Sequence, residues 1–216
     1  MALLHQAEIR PTKLELLADW LPGRRWYSGP AAGEPVRVAA YRFDDPAGAV
    51  GIETILVRVD AGPVHEVPLT YRDAPLADAD EWLVGTTHHS VLGPRWVYDG
   101  CGDPVYAAAL AAAILTGTGQ AQEYFEIDGV REIREPSMTV ATTGSVGTPV
   151  VGAVRQVVDG DPTRIGTDTV DLLVARRLPG DGPVGGLPDG GPAAATLTGR
   201  WPGQSTLVPL ACVRPR

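Results

Sequence analysis

VRVAAYRFDDPAGAVGIETILVRVDAGPVHEVPLTYR, residues 36–72, sets the architecture of the first half of the chain. It holds three β-rich runs of about eight residues each, 36–43, 51–59 and 64–72. Turn-forming Asp, Pro and Gly residues separate the runs, which is typical of an antiparallel meander. In the middle run neither alternating set of side chains is purely polar. We therefore expect both faces of this sheet to be covered.

Two helices are predicted, one on each side of the meander in the sequence. Residues 12–21 carry apolar side chains at helical spacing, and Thr12 followed by Glu15 is a capping-box pattern. Residues 103–116 are rich in alanine, and Asp103 followed by a proline suits the start of a helix. The small side chains of this second helix indicate that it lies closely against a sheet.

The second half of the chain is predicted to be mostly strands. Residues 179–192 contain six glycines and four prolines, which is typical of a linker or loop. The fold class is therefore α+β: an antiparallel meander sheet packed with helices over residues 1–119, followed by a second, mostly antiparallel β-rich region over residues 120–216. The candidate strands of that region are 121–128, 137–142, 149–158, 168–176, 193–199 and 205–213.

Composition narrows the classes of partner. The chain has 216 residues and a net charge of −8, whereas a nucleic-acid-binding surface needs clustered cations. The longest apolar run, near residues 104–115, is about twelve residues long and shorter than the ~20 that a membrane-spanning helix needs. The N-terminus has no signal-peptide pattern. We expect a cytoplasmic protein that binds neither nucleic acid nor membrane.

Residues 84–105 are the stretch that is richest in chemically reactive groups. The neighbouring His88 and His89 point to opposite faces if they lie on a strand, so one metal ion rarely takes both. Cys101 sits between two glycines, where we expect a turn and an exposed thiol. A pair of Cys101 with His89 is conceivable, but no residue visibly orients the histidine. We therefore expect no catalytic residue, no metal and no cofactor.

Nucleotide and acid/base motifs are also weak. The only lysine, Lys13, has no glycine-rich loop before it, and a hairpin turn is the preferred interpretation of residues 141–151. Several carboxylates cluster in segments bounded by Pro and Gly, where solvated loops are the better interpretation. These carboxylates are Asp44, Asp45, Asp78, Asp80, Glu81, Asp159 and Asp161.

Two aromatic and cationic clusters are the best binding candidates. Arginine beside tryptophan can stack on or clamp a sugar, a phosphate or a neighbouring protein. The same residues are equally suited to pinning a helix onto a sheet, and this architectural role is the preferred interpretation. The candidate ligand-binding or partner-binding residues are Arg25, Trp26, Tyr27, His89, Arg95 and Trp96.

Three segments carry a resemblance to a known family. LLADWLPGRRWYSGP (16–30), VHEVPLTYRDAP (64–75) and WVYDGCGDPVYAAAL (96–110) together resemble the N-terminal cap of actinobacterial maltokinases. The resemblance covers roughly residues 10–120. In that family the cap precedes the ATP-binding part of a kinase-like fold, so the resemblance implies a cap-like domain here.

The resemblance continues more weakly into the second half. TDTVDLLVARRLPG (167–180) is similar to the strand that carries an ATP-contacting lysine before an Arg-Arg pair. Arg176 and Arg177 are present, but no lysine precedes them, and no catalytic HxD…N segment or metal-binding Asp-Phe-Gly-like segment follows. The comparison implies a stand-alone cap with a partial kinase N-lobe or intermediate subdomain, without maltokinase activity.

The resemblance also gives an expectation for the reactive stretch. Residues 88–103 are expected to join the meander to the long helix, with Trp96 and Tyr98 buried. Ser90, Asp99 and Asp103 are expected to serve as capping or turn residues.

The leading functional hypothesis is a non-catalytic accessory or regulatory protein of α-glucan, maltose and trehalose metabolism. It would bind a partner enzyme of that metabolism or a maltose-like saccharide. The alternatives are a carbohydrate-active or Cys-dependent enzyme with an unrecognised site, and a nucleotide-binding pseudokinase fragment. Because unpaired strand edges invite pairing, a homodimer is also expected.

Overall fold

The computed structural model describes residues 2–4 as backbone only, and residues 7–127, 129–143, 151–178, 187 and 195–216 in full. Most of the hairpin turn expected at 141–151 and nearly all of the linker expected at 179–192 lie outside the described residues.

Strands dominate the described residues, and two α-helices accompany them. Their bounds are β1 (Ala2–Leu4), β2 (Ile9–Arg10), α1 (Lys13–Trp20), β3 (Pro35–Phe43), β4 (Gly51–Val59), β5 (Val64–Arg72), β6 (Leu83–His89), β7 (Gly93–Asp99), α2 (Pro104–Thr116), β8 (Glu123–Ile127), β9 (Val130–Ile133), β10 (Thr139–Thr142), β11 (Val154–Val158), β12 (Thr163–Thr167), β13 (Val170–Val174), β14 (Arg177–Leu178), β15 (Ala195–Arg200) and β16 (Val208–Pro215).

The predicted helices are present, with the predicted caps. The Thr12 hydroxyl accepts a hydrogen bond from the Glu15 amide, and the Glu15 carboxylate accepts one from the Thr12 amide. Asp103 accepts from the amide of Val105 at the start of α2, and Gly117 ends that helix in the left-handed conformation. None of the helices in the described part of the chain is long and apolar enough to cross a bilayer.

The meander is confirmed as strands β3, β4 and β5 of a seven-stranded antiparallel sheet. The order along this sheet is β2-β6-β7-β5-β4-β3. One edge of β5 is shared by two strands, because β7 pairs with residues 69–72 and β14 pairs with residues 64–65. The hairpin of β6 and β7 was not predicted; it contains most of the reactive stretch. The predicted α+β class with antiparallel sheets agrees with this arrangement.

The described residues form two further sheets, to which the second half of the chain contributes every strand except β1. Six strands form an antiparallel sheet in the order β10-β15-β16-β13-β12-β11. A small sheet has the order β1-β8-β9, in which β1 runs parallel to β8. Strands β9, β12 and β14 lie outside the strand ranges predicted for this half of the chain.

The seven-stranded sheet has a hydrophobic core on each face. On one face, side chains of α1 such as Leu17 and Trp20 pack with sheet residues such as Val67. On the other face, α2 residues such as Leu110 pack in a core that also holds Leu172 of the six-stranded sheet. The two halves of the chain therefore share one core, while the domain boundary at residue 119 stays a prediction.

Candidate functional site

Arg176 forms the centre of a buried polar cluster between the two large sheets. Its side chain is fully buried. Its Nη2 donates to Oδ2 of Asp99 at 2.6 Å, and its Nε donates to the Thr163 hydroxyl at 2.7 Å. The guanidinium also lies 4.7 Å from the centre of the Trp26 ring. One side chain from the second half of the chain is thus held by two residues of the first half.

The backbone beside Arg176 is fixed in the same way. The amide of Glu66 on β5 donates to the carbonyl of Arg176 at 2.9 Å. The amide of Arg176 donates to Oδ1 of Asp161 at 2.9 Å. The interpretation of Asp161 as a solvated loop carboxylate was therefore wrong, because its side chain is mostly buried and holds the turn that leads into β14.

Glu66 adds an acidic group to the interior of the cluster. Its side chain is fully buried and accepts a hydrogen bond from the Tyr41 hydroxyl at 2.8 Å. Burial raises the pKa of Glu66 to about 8, although the bond from Tyr41 and the charge of Arg176 oppose the rise. This carboxyl is therefore protonated at neutral pH.

His65, the neighbour of Glu66, lies between two aromatic rings. Its ring centre is 4.9 Å from that of Tyr27 and 6.0 Å from that of Trp26, and its Nε2 accepts from the amide of Ser28. Burial, reinforced by the charge of Arg177, lowers the pKa of His65 to about 4. The imidazole is consequently neutral at neutral pH.

Cys101 corrects one expectation. It was expected to be an exposed turn residue, but it is fully buried in the core beneath α2. Burial raises the pKa of the Cys101 thiol well above its usual range. A thiol in this environment is a packing group rather than a nucleophile.

The first three candidate residues follow the 3-10 turn of residues Leu21–Gly23 that ends α1. Trp26 is only 4% exposed, and its ring packs edge-on against Trp20 at 5.8 Å. Tyr27 is partly buried, and its hydroxyl donates to the carbonyl of Pro30. Arg25 is exposed. The structure therefore brings Trp26 and Tyr27 into the buried cluster and leaves Arg25 on the surface beside it.

The other three candidates lie on the hairpin of β6 and β7. Nδ1 of His89 accepts hydrogen bonds from the backbone amides of Val91 and Leu92 and so stabilises the hairpin turn. Strand alternation places His89 and Arg95 on the face that carries α1, and Trp96 on the opposite face. Trp96 packs against a small separate cluster. The six candidates do not form a single surface.

The capping expectations for this stretch agree with the structure. Asp99 accepts from the amide of Cys101 at 3.1 Å, in addition to pairing with Arg176. The Ser90 hydroxyl accepts from the amide of Glu8 and ties the hairpin to the segment before β2. Tyr98 is 1% exposed, as expected, whereas Trp96 is partly buried.

A second charged network ties α1 to the small sheet. Lys13 contacts the buried Glu53 on β4. Arg42 lies 3.2 Å from the same Glu53 carboxylate and 2.9 Å from Glu123 on β8. Burial disfavours the charge of Glu53, yet the two cations hold its pKa well below the usual range.

The buried cluster around Arg176 was not predicted from the sequence. The one sequence feature that points to this cluster is the pair His65 and Glu66 within a β-rich run. Ionisable residues in such a run indicate either an exposed face of the strand or buried groups with hydrogen-bond partners. Asp99 and Arg176 are 77 positions apart, and nothing in the local pattern of either residue predicts their pairing.

Comparison with known proteins gives one family match. Residues 20–103 match the model of the maltokinase N-terminal cap domain. No curated protein matches the chain. The matched residues include Trp26, His65, Glu66 and Asp99, whereas Arg176 lies outside the match.

Proposed function

We propose, on the premise that residues 20–103 form a maltokinase N-terminal cap domain, that this chain is a non-catalytic accessory protein of maltose and trehalose metabolism that binds a partner enzyme. The family match carries the link to that metabolism. The contacts of the buried cluster favour a structural role for its residues over a catalytic one.

The ionisable groups of the cluster serve packing. Cys101 and Glu66 are fully buried, and burial favours the neutral form of each. Arg176 is engaged by Asp99, Thr163 and the face of Trp26. A general acid or nucleophile must reach a substrate, so these contacts favour a structural role, in which the cluster joins the cap to the six-stranded sheet.

The burial of Trp26 argues against a saccharide-stacking site at this position. A sugar-stacking platform needs a free aromatic face, but the Trp26 ring is contacted by Trp20, His65 and Arg176. A saccharide is the second candidate, and the exposed Arg25 beside the partly buried Tyr27 is the observation that favours it.

The proposal can be tested by isothermal titration calorimetry. The purified chain is titrated with purified enzymes that make or consume maltose, trehalose or α-glucan. We expect saturable binding to one of these enzymes. Arg25→Glu is expected to weaken that binding, while Arg58→Glu, an equal charge change at an exposed position of β4, serves as the matched control.

A parallel thermal-shift series with maltose, trehalose and Mg-ATP separates the alternatives. A saturable shift with a saccharide and no enzyme binding would replace the partner-enzyme proposal with the saccharide one. A shift with Mg-ATP alone would favour the pseudokinase alternative. Binding to none of the enzymes or small molecules would contradict the proposal.

A further inference from the structure

The small sheet presents a strand edge that no described residue of the chain covers. Its order is β1-β8-β9, so β9 forms the outer edge. All four residues of β9 are exposed, including Val130 at 62% and Ile133 at 58%. Exposed edges of this kind pair readily with another strand.

The hydrogen bonds of β9 with β8 show which backbone groups are available at this edge. The amide of Arg134 donates to the carbonyl of Glu123 at 2.9 Å, in the same register as the β8–β9 pairing. In an antiparallel pair, alternate residues point their backbone groups toward the neighbouring strand. The backbone groups of Arg131, Ile133 and Glu135 therefore point to the open edge. Glu135 precedes a proline, which favours an extended conformation there.

The sequence of this edge is self-complementary in charge. Residues 131–135 read Arg-Glu-Ile-Arg-Glu. When two copies pair antiparallel about a two-fold axis at Ile133, Arg131 lies opposite Glu135 of the second copy, and Glu132 lies opposite Arg134 of the second copy. Ile133 lies opposite its own counterpart, with the backbone groups of both pointing toward each other. Opposite charges at facing positions stabilise a strand pair.

The neighbouring registers lack this complementarity. A two-fold axis normal to the sheet leaves each face of the sheet on the same side in both copies. Facing residues must therefore point to the same side, so the axis can shift along the strand only in steps of one whole residue. Moving it one residue toward the N-terminus places Glu132 opposite Glu132 of the second copy. Moving it one residue toward the C-terminus places Arg134 opposite Arg134 of the second copy. The charge pattern therefore selects one register.

We propose that this protein forms a homodimer through residues 130–135, in which two β9 strands pair antiparallel about Ile133 and join the two small sheets into one six-stranded sheet. The occupant of the open edge is a second copy of this chain. This proposal does not depend on the proposed function, since Arg25→Glu, the substitution that tests binding of a partner enzyme, lies outside residues 130–135.

The test is a charge exchange followed by sedimentation velocity over a concentration series. The acidic variant Arg131→Glu/Arg134→Glu and the basic variant Glu132→Arg/Glu135→Arg each place like charges at four facing positions. We expect each variant alone to dimerise at least about tenfold more weakly than the wild type. Mixing the two variants restores opposite charges at all four positions, and we expect a heterodimer close to wild-type affinity.

Controls separate dimerisation from folding and from general charge effects. Arg58→Glu/Arg200→Glu carries the same change of charge at two other exposed positions and is expected to dimerise normally. The wild-type dimer is expected to weaken at 1 M salt, because the facing pairs are exposed and screened. Thermal unfolding of each variant confirms that it is folded. A wild type that stays monomeric, or a dimer that neither charge variant weakens, would overturn the proposal.

Discussion

The wild-type protein is expected to lose stability as the pH rises from 6.5 to 8. Replacing Glu66 by glutamine is expected to abolish this loss. The Glu66 carboxyl has a pKa of about 8 in the folded protein and an ordinary value of 4.5. Between these values the folded state keeps a proton that the unfolded state has released. The free energy of unfolding therefore falls by about 1.4 kcal/mol for each unit of pH.

The interval above pH 6.5 isolates Glu66 from its neighbour His65. The pKa of His65 is lowered from 6.5 to about 4, so its contribution to stability is complete above 6.5 and is lost only as the pH falls toward 4. From pH 6.5 to 8 the wild type should lose about 2 kcal/mol through Glu66. Glutamine cannot ionise, and its side-chain oxygen can still accept the hydrogen bond from Tyr41.

The assay is urea unfolding of the wild type and of Glu66→Gln at several pH values between 6.5 and 8. Glu53→Gln is the matched control, because Glu53 is equally buried but ionised over this whole range. That variant should lose about 3 kcal/mol at pH 6.5, since Lys13 loses its charged partner and Arg42 keeps only Glu123. Because it retains Glu66, it should still lose stability as the pH rises to 8. A flat wild-type profile, or an unchanged slope in Glu66→Gln, would show that Glu66 does not titrate in this range.

Packing around this cluster can be tested by substitution and by chemical labelling. Arg176→Leu should lower the free energy of unfolding by about 3–5 kcal/mol, because it leaves the Asp99 carboxylate buried without its charge partner. Adding Asp99→Asn to this variant should recover part of that loss. Strictly additive losses of the two substitutions in urea unfolding would contradict the pairing. Gly102→Ala should lower the free energy of unfolding by about 1–3 kcal/mol, because the new methyl group would lie 2.1 Å from an indole ring. Gly23→Ala is the control: its methyl group meets no atom within 4 Å, so the urea midpoint should stay nearly unchanged. The Cys101 thiol should stay unmodified by a thiol reagent in the native protein and react after unfolding, and rapid native labelling would contradict its burial.

Local signals in the sequence predicted those parts of the fold that local chemistry determines. The meander followed from three β-rich runs with turn residues between them, and Thr12 and Asp103 marked the two helix starts through their capping chemistry. The hairpin of β6 and β7 was missed because its strands contain glycine, proline and adjacent histidines, which obscure the alternation of apolar residues.

The candidate site depended on contacts between distant segments and was therefore less accessible. Cys101 lies between glycines, which indicated an exposed turn, but the helix that follows it covers the thiol. Arg176 follows a strand and would ordinarily be solvated, and only the fold brings it to Asp99 and Trp26. The burial of these side chains depends on which sheets pack together. It cannot be predicted from the spacing of residues that are close in the sequence.

A decisive test of the proposed binding to a partner enzyme is sedimentation velocity on mixtures of the purified chain with each purified enzyme of maltose and trehalose metabolism. We expect a heterocomplex with one of them, with a dissociation constant of about 1 μM or tighter. The Arg131→Glu/Arg134→Glu variant should form the same complex. Independent sedimentation of the chain and every enzyme at concentrations well above that dissociation constant would contradict the proposed binding.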